Sequence, residues 1–255
     1  MYEKKIQQVL ATIGLDCTDE QAGKIYRFYE ILIEKNKSVN LTRITDFDAF
    51  LVKHLLDSLS VYLLKDIIKN SISSLYQSNA KILDLGTGAG FPGIPLAVFF
   101  PEASYTLLDS LKKRIAFINE AAADLSITNI SPIHARAEEL ARQNGKRETY
   151  HLCLSRAVAN LSTLAEYALP FVQTGGYFIS YKGGDAKEEI HQAKHAIKEL
   201  GGKLCTAYEF TLPSTKANNL EVDENINRTL VVIQKTRPTM KKYPRQAGMP
   251  SKHPL

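Results

Sequence analysis

Apolar residues recur at helical spacing through the first 78 positions, and beyond them short apolar runs alternate with longer amphipathic ones. Thr18 and Gln21 have the spacing of a capping box, and Ala22, Ile25, Tyr29, Leu32 and Ile33 follow one face of a helix ending near Asn36–Asn40. A further helical face starts after Thr45 or Asp46 and carries Phe47, Phe50, Leu51, His54, Leu55, Ser58, Leu59 and Tyr62. The serines and asparagines of Ser71–Asn79 mark a linker. After it, the pattern predicts strands near 81–86, 104–109, 130–135, 151–156, 176–182, 203–211 and 228–235. Helices are expected near 93–100, 111–126, 160–172 and 185–200. Such alternation gives an α/β fold, a parallel sheet covered on both faces. Only the polar stretch Pro213–Asn227 separates the last two strands, so they should pair as a hairpin and leave one antiparallel strand in a seven-stranded sheet. The expected division is a helical lid or buttress over 1–78, a core over 79–236 and a tail over 237–255.

The first strand runs into KILDLGTGAGFPGIP, residues 81–95. Gly86, Gly88 and Gly90 permit a sharp turn and close approach of a ligand, since no Cβ intervenes. A strand, a glycine loop and a helix with proline near its first turn open a doubly wound nucleotide-binding fold. Gly88, Gly90 and Gly93 also match the dinucleotide fingerprint. A pyrophosphate, however, needs backbone N–H donors, and Pro92 and Pro95 remove two of them. A loop with no phosphate to hold suits S-adenosylmethionine, whose cationic groups Asp84 would attract. A structural turn without ligand is the alternative.

The chain of 255 residues has 44% hydrophobic and 23% charged residues, the profile of a soluble globular protein. Its formal charge of +5 favours an anionic partner. No apolar run reaches the about 18 residues of a membrane span, and the N-terminal residues do not resemble a signal peptide. Cys17, Cys153 and Cys205 are far apart, which argues against a metal site or a disulfide framework and for a reduced cytoplasmic setting. From Lys235 onward six Lys or Arg and no acid are punctuated by four prolines. Such a tail could follow an RNA surface without folding first, with Tyr243 and Arg245 stacking on bases, or be solvated decoration.

Asp109, at the end of the second strand, is placed to bind ribose hydroxyls or to cap the helix that follows. Ala137 and Glu138 follow the third strand, where a backbone N–H and a carboxylate would read an adenine edge; Glu138 equally suits an exposed first helical turn. The fourth strand ends in Ser155-Arg156-Ala157-Val158, without the Asn/Asp-Pro-Pro-aromatic device of amino methylation. Cys153 lies inside the strand as a small apolar residue rather than a nucleophile. Their absence points to an acceptor needing no activation, such as guanine N7, with transfer resting on positioning. Arg156 would steer guanine through O6 or contact the cofactor, and Lys182 lies at the same rim. His54 and Asp57 share a helix face and would dock the helical region; His54 reads as a core histidine before a catalytic one.

Asn40-Leu41-Thr42, KHLLDSL (53–59), DLGTGAGFPGIPLA (84–97), LLDSLKKR (107–114), SRAVA (155–159), YKGG (181–184) and YPRQAGMPSKHPL (243–255) together resemble the bacterial 16S ribosomal RNA guanine-N7 methyltransferases, also called glucose-inhibited division protein B. The resemblance implies a class I, Rossmann-like methyltransferase fold with an N-terminal helical extension, acting on a guanine of the 530 loop of 16S RNA or of the small-subunit particle. It implies cofactor contacts at Gly86, Phe91, Ala137, Glu138 and Arg156, with Gly88, Gly90 and Asp109 in support. RNA contacts would fall on Lys182, Arg245 and Lys252, although Met249 and His253 depart from the family's tail pattern. A cytoplasmic monomer with no membrane partner is expected. The competing readings are a nicotinamide oxidoreductase and a non-catalytic RNA-binding protein.

Overall fold

Helices α1 (Tyr2–Ala11) and α2 (Asp19–Val39) open the chain in the computed structural model, which describes residues 1–67, 72–156, 158–212 and 226–255. The capping box at α2 is reciprocal: Gln21 N–H donates to Thr18 Oγ1 at 3.2 Å, and Thr18 N–H to Gln21 Oε1 at 3.0 Å. Asn40 ends the helix in the left-handed region, and Asn36 Oδ1 takes the N–H groups of Leu41 and Thr42. The next helical face is also present, but not as one regular helix. Asp46 caps α3 (Phe47–Phe50), the turn widens to π geometry over Leu51–Leu56, and α4 (Asp57–Leu59) runs into a 3-10 segment at Ser60–Asp66.

The seven strands β1 (Lys81–Leu85), β2 (Ser104–Asp109), β3 (Ile130–His134), β4 (Tyr150–Arg156), β5 (Val172–Gly183), β6 (Gly202–Leu212) and β7 (Ile226–Lys235) form one sheet in the order β3-β2-β1-β4-β5-β7-β6. Only β7 runs against its neighbours, inserted between β5 and β6. Pro132 fits because β3 is an edge strand. The helices between strands are α5 (Gly93–Phe99), α6 (Lys112–Asp124), α7 (Ala137–Leu140), α8 (Leu161–Ala168) and α9 (Lys187–Glu199), with α10 (Met249–Lys252) in the tail. Helix α8 stops short of the expected 172 and β5 starts earlier than 176, because Pro170 cannot continue a helix. Residue 71 of the expected linker, residues 213–225 of the expected hairpin connection, and Ala157 lie outside the described residues.

Alternation along the strands feeds two cores. Ile82, Leu107, Leu152, Leu154 and Ile179 point to one, and Leu83, Leu85, Leu108, Cys153 and Phe178 to the other. The first core is continuous with α1, α2 and the helical run over 47–66, through Ile6, Phe28, Leu32, Phe50 and Leu55. The N-terminal helices are thus a buttress that shares the sheet's core. The tail also departs from both expectations, an unfolded RNA-following segment and solvated decoration. It lies on the second core with Tyr243 buried, and Thr239, also buried, donates its hydroxyl to the Leu200 carbonyl at 2.6 Å.

Candidate active site

Strand order reverses at β1, which has β2 and β3 on one side and β4 and β5 on the other, and open α/β sheets bind ligands beyond the strand ends at such a point. A cleft of about 150 Å³ lies there, walled by Gly86, Asp109, Ser110, Ala137, Glu138, Val158 and Tyr167. Gly86 has φ +72°, and a Cβ on it would stand 2.4 Å from Val158 Cγ2. Glycine is therefore required at this wall both by conformation and by space.

The N–H groups of the glycine loop are nearly all spoken for. Gly86 and Thr87 donate to the Leu108 carbonyl, Gly90 and Phe91 to the Thr87 carbonyl, and Ile94 to the Gly90 carbonyl. Gly88 N–H goes to Asp109 Oδ2 at 3.0 Å and Gly93 N–H to Asp84 Oδ2 at 2.8 Å. Positions 92 and 95 are prolines. A pyrophosphate site needs a fan of free donors; this loop instead turns its donors onto backbone carbonyls and two protein carboxylates.

Asp84 sits behind the loop and is buried. Its Oδ2 accepts from Thr87 Oγ1 at 2.6 Å as well as from Gly93, while its Oδ1 is buried without a hydrogen-bond partner. Desolvation raises its carboxyl from 3.8 to about 7, against the hydrogen bonds from Thr87 and Gly93. A carboxylate left uncompensated beneath the loop favours a cation in front of it and repels phosphate. The residues fit a sulfonium- and ammonium-bearing adenosine derivative better than a dinucleotide.

Asp109 lines the cleft with both oxygens in use: Oδ1 accepts from Leu111 N–H at 2.8 Å, and Oδ2 from Gly88 N–H and from Arg114 Nη1 at 3.1 Å. Carboxylate oxygens have further lone pairs, so ribose hydroxyls and the turn into α6 can share it. Glu138 is buried, not the exposed first-turn glutamate of the alternative reading, and its Oε1 accepts from Gly248 N–H at 2.9 Å. Cys153 is buried in β4, and burial pushes its thiol well above the usual range.

Arg156 turns away from this cleft. Its Nη1 donates to Asp57 Oδ2 at 2.9 Å and to the Lys53 carbonyl at 3.0 Å, and its Nη2 to His54 Nδ1 at 3.1 Å. Arginine can only donate, so Nδ1 accepts and the imidazole carries its proton on Nε2, 2.8 Å from Thr42 Oγ1. Burial, and then the Arg156 charge, lowers His54 to about 3, which keeps the ring neutral. That ring stacks on Phe91 at 4.3 Å between centroids, and Arg156 lies 5.4 Å over the same Phe91 ring. Phe91 and Gly90 thus sit at the seam with the N-terminal helices, Gly90 folded over Ile94, rather than on the cleft wall. His54 and Asp57 dock the helical region, as their shared face suggested, and they do so through Arg156.

A second cleft, of about 430 Å³, opens beside Arg156 and is lined by Lys53, His54, Asp57, Tyr181, Lys182 and Arg228 among others. Among the described residues Asp57 is its only acid, with a side chain 4% exposed, and Arg228 Nε binds its other oxygen at 2.9 Å. Lys182 Nζ donates to the Ala159 carbonyl at 2.9 Å and to Glu189 at 2.6 Å, so its charge is held at the rim. Arg245 lies elsewhere, bound to Glu166 on α8, and Lys252 is exposed on α10. Sequence reasoning missed Arg228, Val158, Tyr167 and Glu166. Glu166 had a signal, as the one charge in the apolar segment LSTLAEYAL; Arg228 had none.

The family model described as GidB, rRNA small subunit methyltransferase G, matches residues 21–216. The ribosomal RNA small subunit methyltransferase G of Lachnoclostridium phytofermentans is 44% identical over 248 residues, covering 97% of this chain and 95% of that protein. The protein of the same name from Alkaliphilus metalliredigens is 43% identical over 244 residues, covering 95% of this chain and 94% of the relative. Among solved structures, M. jannaschii TYW2 in complex with AdoMet superposes with a TM-score of 0.48 at 14% identity, covering 66% of this chain and 75% of that one, a likeness that carries no functional weight. With matches of this identity over almost its whole length, the chain belongs to the rRNA small subunit methyltransferase G family.

Proposed function

We propose that the chain transfers a methyl group from S-adenosylmethionine to N7 of a guanine in the 530 loop of 16S ribosomal RNA, on the free RNA or on a small-subunit particle. The observation that carries the cofactor half of this reading is the glycine loop whose N–H groups are already used, lying over the unpartnered buried Oδ1 of Asp84. Bound S-adenosylmethionine supplies an electrophilic sulfonium methyl, and its transfer to the N7 lone pair breaks one C–S bond, forms one N–C bond and moves no proton. The protein accordingly needs no general base, and the neutral, fully bonded His54 agrees with that. Its own residues have positioning work. Asp109 takes the ribose hydroxyls, Ala137 and Glu138 the adenine edge, and Gly86 lets the cofactor approach the strand end. In the second cleft Arg156, fixed by Asp57 and His54, offers its remaining donors to guanine O6, and Lys182 and Arg228 face the RNA backbone, with Lys252 further out.

Among the described residues no helix is long and apolar enough to cross a membrane. The proposed setting is a cytoplasmic monomer that meets RNA without a membrane partner. Incubation with methyl-labelled S-adenosylmethionine should place label on RNA of small subunits lacking the modification; no transfer to RNA or to subunits contradicts the reading. NAD and NADP should give no thermal shift where S-adenosylmethionine does.

Asp84 gives the cofactor affinity a pH dependence. Its carboxyl holds a proton to about 7 in the folded chain against an ordinary 3.8, so stability from this group falls as pH rises through that window and is flat above it. Cation binding favours the ionised form and runs opposite. Affinity for S-adenosylmethionine should rise about tenfold per pH unit below 7 and level off above it. Calorimetry across pH checks this: Asp84→Asn should bind more weakly at pH 8 and lose the slope, and a wild-type affinity flat in pH would contradict it.

A further inference from the structure

The tail was the segment expected to reach for RNA, yet Arg245 is turned inward while Lys241, Lys242 and Lys252 stay exposed. Arg245 grips Glu166 with Nε at 3.0 Å from Oε1 and Nη2 at 2.7 Å from Oε2, and its own backbone N–H adds a third bond to Oε1 at 2.7 Å. The Glu166 side chain is 0% exposed. A carboxylate so placed needs a fixed cation, because an unpaired buried charge is among the costliest defects a core can hold. Upstream, Arg142 donates to the Pro244 carbonyl and Arg147 to the carbonyls of Tyr243 and Thr239. Downstream, the Thr163 hydroxyl donates to the Pro250 carbonyl at 2.9 Å.

The tail also meets one residue of the cofactor cleft and the sequence neighbour of another. Gly248 N–H donates to Glu138, a wall residue on α7. Glu166 precedes Tyr167, a second wall residue, on α8. From Arg245 to Gly248 is three residues, so the guanidinium that fixes the tail on α8 also fixes the N–H that meets Glu138 on α7. The two helices otherwise follow different strands, β3 and β4, and the tail spans between them.

We propose that the Glu166–Arg245 pair is a latch by which the C-terminal tail sets the positions of Glu138 and Tyr167, making the tail a brace behind two walls of the methyl-donor site. Glu166 and Arg245 are positioning residues for the adenosine end of the donor, and Gly248 is the contact that transmits their hold. This rests on the cofactor reading above. The RNA contact expected of Arg245 gives way to this role, since its guanidinium is committed to Glu166 and to the His253 carbonyl at 2.7 Å.

Calorimetric titration of the full chain with S-adenosylmethionine, and separately with 5′-methylthioadenosine, which has the adenosine but no amino acid, tests the latch. Arg245→Ala should weaken both ligands by the same factor, about tenfold or more, the size expected when a charge-assisted contact is lost. Arg245→Lys, which keeps the charge but cannot span both oxygens, should lie between. Its amide exchange at 137–140 without ligand should be faster than in the wild type, while exchange in β1 and β4 stays slow. RNA affinity and its salt slope should be unchanged in Arg245→Ala, whereas an RNA contact through this guanidinium would lower both. Wild-type binding with equal affinity in both variants overturns the latch alone, as does a loss confined to S-adenosylmethionine with methylthioadenosine unaffected. A wild type that binds neither ligand overturns the cofactor reading, and the latch with it.

Discussion

Asp57→Ala is expected to cost about 3–5 kcal/mol of stability, the usual loss when one partner of a buried ionic group is removed. Asp57 holds two guanidiniums at once, Arg156 at 2.9 Å on one oxygen and Arg228 at 2.9 Å on the other. The side chains are 4%, 14% and 22% exposed, so water does little to replace the lost carboxylate. Its removal leaves two cations facing each other, and Arg156 also loses part of the frame that holds it against His54 and the Lys53 carbonyl. Asp57→Asn keeps the shape but offers one acceptor and turns an amide donor toward the other arginine, so it should fall between alanine and wild type. Methyl transfer to RNA should drop more than S-adenosylmethionine affinity, because the damaged cleft is the second one. Denaturant unfolding measures the effect; a loss under about 1 kcal/mol, the range of a surface pair, would show that the cluster is no ionic hub. Adding Arg228→Leu to Asp57→Ala should recover part of the stability by removing the unpaired neighbour.

Gly86→Asp should abolish cofactor binding within the range of ordinary titration, a fall of about a hundredfold or more. Left-handed backbone costs a residue with a Cβ about 1–2 kcal/mol, and Gly86 has φ +72°. The new Cβ would also meet Val158 at 2.4 Å, driving either the loop or Val158 into the cleft. The N-terminal helices pack into the shared core through Phe28, Phe50 and Leu55, a core that does not include Gly86, and should keep their helical signal. Unchanged affinity for S-adenosylmethionine in this variant would refute the assignment of the cleft.

How much of this was legible before the structure differs from element to element. The strand and helix series was readable because period-two and helical patterns are written in neighbouring residues. The antiparallel placement of β7 was readable because the sequence shows only a polar stretch, and no helical pattern, between the last two strands. The π-helical widening at Leu51–Leu56 was not, since the face from Phe47 to Tyr62 reads equally well as a regular helix. Of the expected cofactor residues, Gly86 and Asp109 were legible because they end neighbouring strands, and both line the cleft at the switch point. Val158 and Tyr167 come from the far side of the switch point and leave no local trace.

The tail shows the other limit. Its six basic residues read as a solvated or RNA-following segment because local composition cannot reveal that a glutamate 79 residues earlier lies buried and waiting for one of them. Arg156 was open between cofactor and guanine, and the structure places its guanidinium at the seam among Asp57, His54 and Phe91. Long-range charge pairing of this kind is visible only once the strands are side by side.

The position of the transferred methyl decides the central claim most directly. Small-subunit RNA labelled from S-adenosylmethionine by this protein should yield 7-methylguanosine at a single site in the 530 loop when digested and analysed by mass spectrometry. Label on another atom or base, or none on the RNA at all, would contradict the account.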